Sequence, residues 1–445
     1  MRHPTNYSEL EQARRRNREQ SIRFAETRNY RNEQRRFRKS IYSYLGWFGP
    51  ATLAAVAYID PGNFGTDISA GAGFGYVLLW SVLLANLMGM LIQYLSGKLG
   101  LATGRSLAEL VRVSLGSRRR VIPYWLASEV FALFTDLAEF LGVTSAIYLL
   151  SGGAIPLLVA AWISAFDVVL VFAIAGNRFR RIELMITTLV FGVGLGYTYE
   201  IFLVKPSAVS IVHGLLVPTV MGSSQLFLVV GIIGATVMPH VMVLHSSLTK
   251  AKAGSLDAAG RAEMLRLHRW DTVANMTVAG LINMAILIMA AAAFFATGVH
   301  VATIDSASKT LVPLFGLSAG IVFALTLLFS GLSASTVGVI AGQAILEGLL
   351  GSKFNPWARR IILRVINVVP TSIAITLGFD PLLLLVYSQV VLSILIPLPL
   401  IPLIYYTARR KFMGEFVNRR SITILALVTA ATIMVLNAVL LYTFI

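Results

Sequence analysis

Long apolar runs separated by short polar ones recur along this chain from about residue 44 onward. Most are at least roughly 20 residues long, enough for a helix to cross a hydrocarbon core of about 30 Å. They are continuous and do not alternate in polarity, so they predict helices and not a transmembrane barrel. Eleven spans are expected, near 44–70, 75–97, 122–151, 154–174, 182–204, 224–251, 271–297, 315–348, 358–378, 381–407 and 420–444. The fold class is therefore an all-α polytopic membrane protein.

Two spans are interrupted. In the first, Asp60-Pro-Gly-Asn63 sits inside the apolar run. The carboxylate is costly in hydrocarbon, the proline removes a backbone donor, and the glycine loosens the turn. In the sixth, Met238-Pro-His240 falls near the centre. Backbone broken at membrane depth is tolerated where it is buried in protein or lines a cavity. Spans one and six are five apart, and an odd offset inverts the second set of five relative to the first. Interrupted helices at matching places in two inverted halves mark the substrate site of a secondary transporter. The expected organisation is a five-plus-five inverted repeat (44–204 and 224–407) plus one extra helix (420–444), within a transporter domain over 41–445.

Composition agrees. The chain has 445 residues, of which 56% are hydrophobic and 13% charged, against roughly 25% charged in soluble domains. A net charge of +16 raises the question of nucleic acid, but its placement answers otherwise. About a third of the Lys and Arg lie in residues 1–40, a polar tail without the apolar core of a secretory signal. Most of the rest lie in alternate loops: Arg118, Arg119 and Arg120; Arg178, Arg180 and Arg181; Lys250, Lys252, Arg261, Arg266 and Arg269; Lys353, Arg359 and Arg360; Arg409, Arg410, Lys411, Arg419 and Arg420. That alternation predicts a cytosolic N-terminus, an outside C-terminus and contact of the basic tail with anionic lipid headgroups. The chain has no cysteine, so disulfides and thiolate ligands are excluded.

The two breaks bring together a particular donor set. Asp60 offers a hard anionic oxygen, Asn63 an amide oxygen, the unwound backbone at Ala235 a carbonyl, and Met238 a thioether. Oxygen alone suits magnesium or calcium, whereas an added sulfur favours softer transition ions. The mixture suggests divalent manganese or iron, with cobalt, cadmium or zinc as passengers. In span three, Asp136 and Glu139 are three apart on one helix face, and Glu129 lies two turns earlier. Such intramembrane acids suit proton transfer, and His240 suits relay. A structural ion pair of Asp136 and Glu139 with Lys252 or Arg364 is the alternative role.

With these residues in view, the chain resembles the Nramp family of proton-coupled divalent-metal transporters. The resemblance covers nearly everything after residue 40. It rests on Asp60-Pro-Gly-Asn-Phe-Gly-Thr-Asp67, Gly71-Ala-Gly-Phe-Gly-Tyr76, Thr135-Asp-Leu-Ala-Glu-Phe-Leu-Gly142, Met238-Pro-His240, His245-Ser-Ser, Ala341-Gly-Gln-Ala-Ile-Leu-Glu-Gly348 and Ser388-Gln-Val-Val-Leu-Ser393. It implies a leucine-transporter-like fold and import of manganese or ferrous iron with protons. It implies a metal held by Asp60, Asn63, the Ala235 carbonyl and Met238, with Gln389 approaching in some states. It further implies a proton route from Asp60 through His240 toward Asp136 and Glu139. Metal and proton are cargo, and no resident cofactor is expected. The chain departs from the family pattern at Lys252 (usually Arg), Val241 (commonly Asn), Val243 (commonly aromatic) and Gly65 (frequently Ala). None of these removes a ligand. Lysine lacks the planar bidentate fork, so Lys252 bears on proton coupling.

Other readings fit less well. An amino-acid transporter of the same architecture would aim helix N-termini at a carboxylate and would not place an Asp and a thioether there. A magnesium-carrying relative would dispense with Met238. An intramembrane enzyme lacks both a His-Glu-x-x-His and a Gly-x-Ser-x-Gly signature. A channel would not hold its ion with fixed Asp and Met ligands. The short loops suggest a prokaryotic plasma membrane, and one subunit suffices for the site.

Overall fold

The computed structural model describes residues 50–167, 179–253, 257–298, 303–351 and 355–443. The basic tail, the start of span one, much of the end of span four, and Arg178 and Lys353 lie outside the described residues. In chain order the helices are α1 (Pro50–Ala57), α2 (Pro61–Phe74), α3 (Leu79–Thr103), α4 (Leu107–Leu115), α5 (Arg118–Leu150) and α6 (Leu157–Ser164). Next come α7 (Phe179–Val204), α8 (Ala208–Leu216), α9 (Ser223–Thr236), α10 (Pro239–Ala253) and α11 (Ala258–Ala290). The last are α12 (Ile304–Phe315), α13 (Leu317–Leu350), α14 (Pro356–Thr376), α15 (Pro381–Leu395), α16 (Pro397–Thr407) and, after a short turn, α17 (Arg420–Thr443).

Both expected breaks are present. Span one divides into α1 and α2 at Tyr58-Ile59-Asp60, and span six into α9 and α10 at Val237-Met238. Asp60 is the N-cap of α2 in extended conformation (φ −111°, ψ 164°), and Pro61 follows at the first helical position. Proline is tolerated there because that N–H would have no helical partner. At the second break the cause is equally local. The amide that would bond the Ala235 carbonyl belongs to residue 239, a proline without an N–H. The Ala235 oxygen is thereby released from the helix.

Among the described residues eight helices are long and apolar enough to cross a membrane, and Ile361–Thr376 is a shorter apolar helix. The remaining spans are divided by breaks or extend past the described residues. Several boundaries differ from expectation. The chain stays helical from Pro61 to Thr103 through a tight turn at Gly75–Leu78, where spans one and two were expected to part. Arg261, Arg266 and Arg269, expected in a loop, lie in the first turns of α11, because Asp257 caps that helix by accepting from the Gly260 amide at 2.8 Å. The connecting segments also hold short helices, among them α4, α8 and α12. Ser106, Ser207 and Thr303 cap them, and they are too short to register against the long apolar runs.

The long helices α5 and α13 pack along each other, α10 packs against α3, α9 against α15, and α11 against α2 and α3. The broken helices are enclosed by these neighbours. Close approach depends on Gly62 and Gly234. A methyl group on the first would collide with the Gln389 side chain, and one on the second with the Gln389 backbone carbonyl. Those contacts draw α15 onto both broken helices at once.

Candidate functional site

Tyr58, Ile59 and Asp60 have left the helix at the first break, and their freed groups are satisfied by side chains. The Ile59 carbonyl accepts from Ser330 at 2.9 Å and the Tyr58 carbonyl from Asn283 at 2.9 Å. Asp60 Oδ1 accepts from the Asn63 amide N–H at 2.8 Å and from Asn63 Nδ2 at 2.8 Å. Asn63 Nδ2 also donates to the Ala235 carbonyl at 3.0 Å and to the Tyr58 carbonyl at 3.1 Å. Its other atom, Oδ1, accepts from the Thr236 hydroxyl at 3.0 Å. One amide nitrogen thus sits among three oxygens drawn from both broken helices. Asp60, Asn63 and Ala235 are buried, at 3%, 0% and 0% exposure, so this cluster is shielded from water.

Met238 is buried at the second break, one turn beyond Ala235. Gln389 is buried on α15 over Gly62, and its Oε1 accepts no hydrogen bond among the described residues. The candidate ligands at the two breaks are therefore one carboxylate, amide and backbone oxygens, and a thioether. Among the described residues no group of three or more His, Cys, Asp or Glu could hold an ion. A mixed, partly neutral set suits an ion that must also leave.

The titratable side chains on α5 form a separate constellation. His240 Nδ1 pairs with the Thr135 hydroxyl at 3.1 Å, and a small cavity is lined by Thr135, Asp136, Glu139, His240, Gln343 and Arg359 among others. Glu139 is 2% exposed, and its Oε2 lacks a hydrogen-bond partner among the described residues. Arg364, not Lys252, lies beside Asp136, with Nη1 3.4 Å from Asp136 Oδ1 and Nη2 2.8 Å from Asp167 Oδ2. Asn367 donates to Asp136 at 2.6 Å. Glu129 pairs with Arg359 at 2.7 Å and accepts from the Trp125 indole at 2.9 Å. Lys252 stands at the far end of α10, within electrostatic reach of His245, His268 and Asp271.

Several polar residues of this region belong to no motif in the sequence. Asp167, Asn283, Asn367 and Thr236 are lone polar residues in apolar runs. Gln93 donates to the Tyr58 hydroxyl at 3.1 Å and pairs with His245 Nδ1 at 3.0 Å, which ties the first break to α10. A polar residue inside a span was the only available clue. At the end of α10, Lys250 meets Glu109 of α4 at 2.7 Å. Partial burial of Glu109 would raise its carboxyl pKa, but the Lys250 ammonium and the Ser106 amide outweigh burial and hold it below the usual range.

This arrangement, with two broken helices meeting at a buried donor set inside a helical bundle, is that of a secondary transporter. Comparisons with known proteins agree. Residues 51–443 match the family model described as Nramp, natural resistance-associated macrophage protein-like. The chain belongs to the Nramp family. It is 43% identical over 403 residues to the divalent metal cation transporter MntH of Chromohalobacter salexigens, covering 90% of this chain and 92% of that protein. Among solved structures it is similar to the manganese transporter of Eremococcus coleocola, with a TM-score of 0.76, 29% identity, and coverage of 88% of this chain and 85% of that one. The inward-facing structure of Mhp1 shares the fold at a TM-score of 0.55 and 16% identity, covering 89% of this chain and 90% of that one. The expected leucine-transporter-like fold stands.

Proposed function

We propose that this chain imports divalent transition-metal ions, manganese and ferrous iron foremost, together with protons, by alternating access. The observation that carries this reading is the convergence of the Asp60 carboxylate, the Asn63 amide and the freed Ala235 carbonyl, with the Met238 thioether at the same break. Hard oxygen provides charge for the cation, and sulfur biases the choice toward softer ions. The names of its relatives point the same way.

The proposed sequence of events begins with the Asn63 amide turning over. Its nitrogen leaves the oxygen cage, and Oδ1 faces the ion with Asp60 and the Ala235 carbonyl. Thr236 serves both orientations, because a hydroxyl both donates and accepts. It donates to Oδ1 now and accepts from Nδ2 after the turn. A divalent charge arriving at Asp60 expels any proton there. His240, paired with Thr135, passes that proton toward Glu139 and Asp136, whose charge Arg364 balances. Half-helices α1, α2, α9 and α10 then tilt to close the outer path and open the inner one. The alternating loop charges favour a cytosolic N-terminus, an outside C-terminus and residence in a plasma membrane.

The test is metal uptake into proteoliposomes with an interior pH dye. Manganese entry with acidification is expected for the wild type, and neither for Asp60→Ala. Manganese entry without acidification would remove the proton from the mechanism, and magnesium as the transported ion would overturn the substrate assignment.

A further inference from the structure

Lys98 is a buried cation without an anion. It stands near the end of α3 and is 8% exposed. Lysine is almost never buried this deeply unless it is paired. Its ammonium donates to Asn418 Oδ1, a neutral acceptor, at 2.7 Å, and forms no ion pair among the described residues. One amide oxygen does not saturate an ammonium. Asn418 repeats the deficit. It lies in the turn before α17, where its backbone amide donates to the Thr407 carbonyl at 3.1 Å. It is 9% exposed, and its side-chain Nδ2 meets no acceptor among the described residues. A buried donor left without an acceptor calls for a partner from outside the chain.

More positive charge gathers at the same place. Tyr94, one turn before Lys98, has its ring centre 5.9 Å from the Lys98 ammonium. Arg269 and Arg419 are both within electrostatic reach of the Tyr94 phenol. Arg419 directly follows Asn418. Arg269 directly follows His268, which stacks on the Tyr94 ring at 5.9 Å and sets its Nε2 3.2 Å from the Tyr94 carbonyl. Cations from α3, α11 and the turn before α17 therefore converge on Tyr94. Both arginines are exposed, and neither forms an ion pair among the described residues. Of the acids close to them in sequence, Asp271 accepts from Asn275 at 2.8 Å and lies within reach of Lys252. Glu415 is exposed and likewise makes no ion pair among the described residues. Trp270, beside Arg269, is 62% exposed. An exposed tryptophan at the start of a span marks the level of the lipid headgroups.

We propose that these residues bind a phosphate group, with Lys98 and the Asn418 amide as the floor of the site and Arg269 and Arg419 as its rim. An oxyanion supplies the missing counter-charge for Lys98 and the missing acceptor for Asn418 Nδ2. The arginine forks suit phosphate oxygens at the mouth. The level of Trp270 favours the phosphodiester of an anionic lipid, and free phosphate shares the same chemistry. The bound group ties α3, α11 and the start of α17 together at the end expected to face the cytosol. Its effect is on the stability of the bundle and is separate from the metal site.

The experiment is thermal unfolding of the purified full chain in detergent. Phosphatidylglycerol is compared with phosphatidylcholine, and inorganic phosphate with chloride at equal ionic strength. A ligand that binds only the folded state raises the melting temperature. Phosphatidylglycerol should raise it by several degrees, and phosphatidylcholine should not. Two variants should lose most of the rise. Arg269→Gln/Arg419→Gln removes the exposed rim and leaves the packing alone. Asn418→Asp gives Lys98 a carboxylate of its own, so the buried charge is paired without a ligand. Arg409→Gln/Arg410→Gln removes the same charge from a neighbouring turn and should keep the full rise. A rise with inorganic phosphate that is lost in the same two variants keeps the site and makes free phosphate its ligand. No rise with either phosphate source, a rise untouched in both site variants, or an equal loss in Arg409→Gln/Arg410→Gln would overturn the site.

Discussion

Asn63 Nδ2 donates to the Ala235 carbonyl at 3.0 Å, which joins the two broken helices across the centre of the bundle. The bond exists because Pro239 withholds the donor that Ala235 would otherwise use. It also places an amide nitrogen in a cage of oxygens suited to a cation. In the proposed mechanism, binding of the ion and reorientation of Asn63 are one event, with Thr236 partnering the amide in both positions.

Thr236→Val should weaken Mn2+ binding, since valine keeps the shape and loses both the donor and the acceptor. The loss of about 1 kcal/mol for one hydrogen bond corresponds to roughly fivefold in affinity. Thr236→Ser should restore binding. Calorimetric titration of the two variants checks this. Equal affinity in Thr236→Val and wild type would remove Thr236 from the site.

Arg364 is 4% exposed and balances Asp136 and Asp167 together, with Asp167 also bonded to Ser335. Arg364→Leu should destabilise the fold by about 3–5 kcal/mol, because Asp167 is left buried without its counter-charge. The double variant Arg364→Leu/Asp167→Leu should recover a large part of that loss. Thermal unfolding of both in detergent gives the comparison, and equal destabilisation would mean that the pair is not coupled.

The Glu109–Lys250 pair fastens α4 to the end of α10, with side chains 25% and 31% exposed. Exposure and solvent screening limit its worth to about 1 kcal/mol or less. The folded-state pKa of Glu109 is lowered, so its contribution is present above the unfolded carboxyl pKa of about 4.3 and is lost as pH falls through the folded value. Glu109→Gln should lower the melting temperature slightly at pH 7, and the difference should vanish in strong acid. A difference that grows on acidification would contradict the sign.

Much of this was legible in the sequence because membrane helices obey few rules. Asp60, Pro61, Pro239 and His240 stood out as violations inside apolar runs, and violations there mark sites. The relation of Pro239 to the Ala235 carbonyl follows from helix geometry alone. What stayed hidden was partnership. Lys252 and Arg364 were equal candidates for Asp136, and only the packing of α14 against α5 distinguishes them. Asp167 and Thr236 looked like isolated polar residues, since Arg364, Ser335 and Asn63, which they meet, lie well over a hundred residues away. The short helices α4, α8 and α12 were masked by the stronger signal of the spans on either side.

In the proposed mechanism the Met238 thioether at the second break selects transition metals over alkaline-earth ions. Uptake of Mn2+ into proteoliposomes in the presence of excess Ca2+ or Mg2+, wild type against Met238→Ala, tests it most directly. Wild-type uptake should resist both competitors. Met238→Ala should retain Mn2+ transport, lose more Cd2+ than Mn2+ transport, and become sensitive to Ca2+ and Mg2+. An unchanged preference in Met238→Ala would contradict the claim and place selectivity in the oxygen ligands alone.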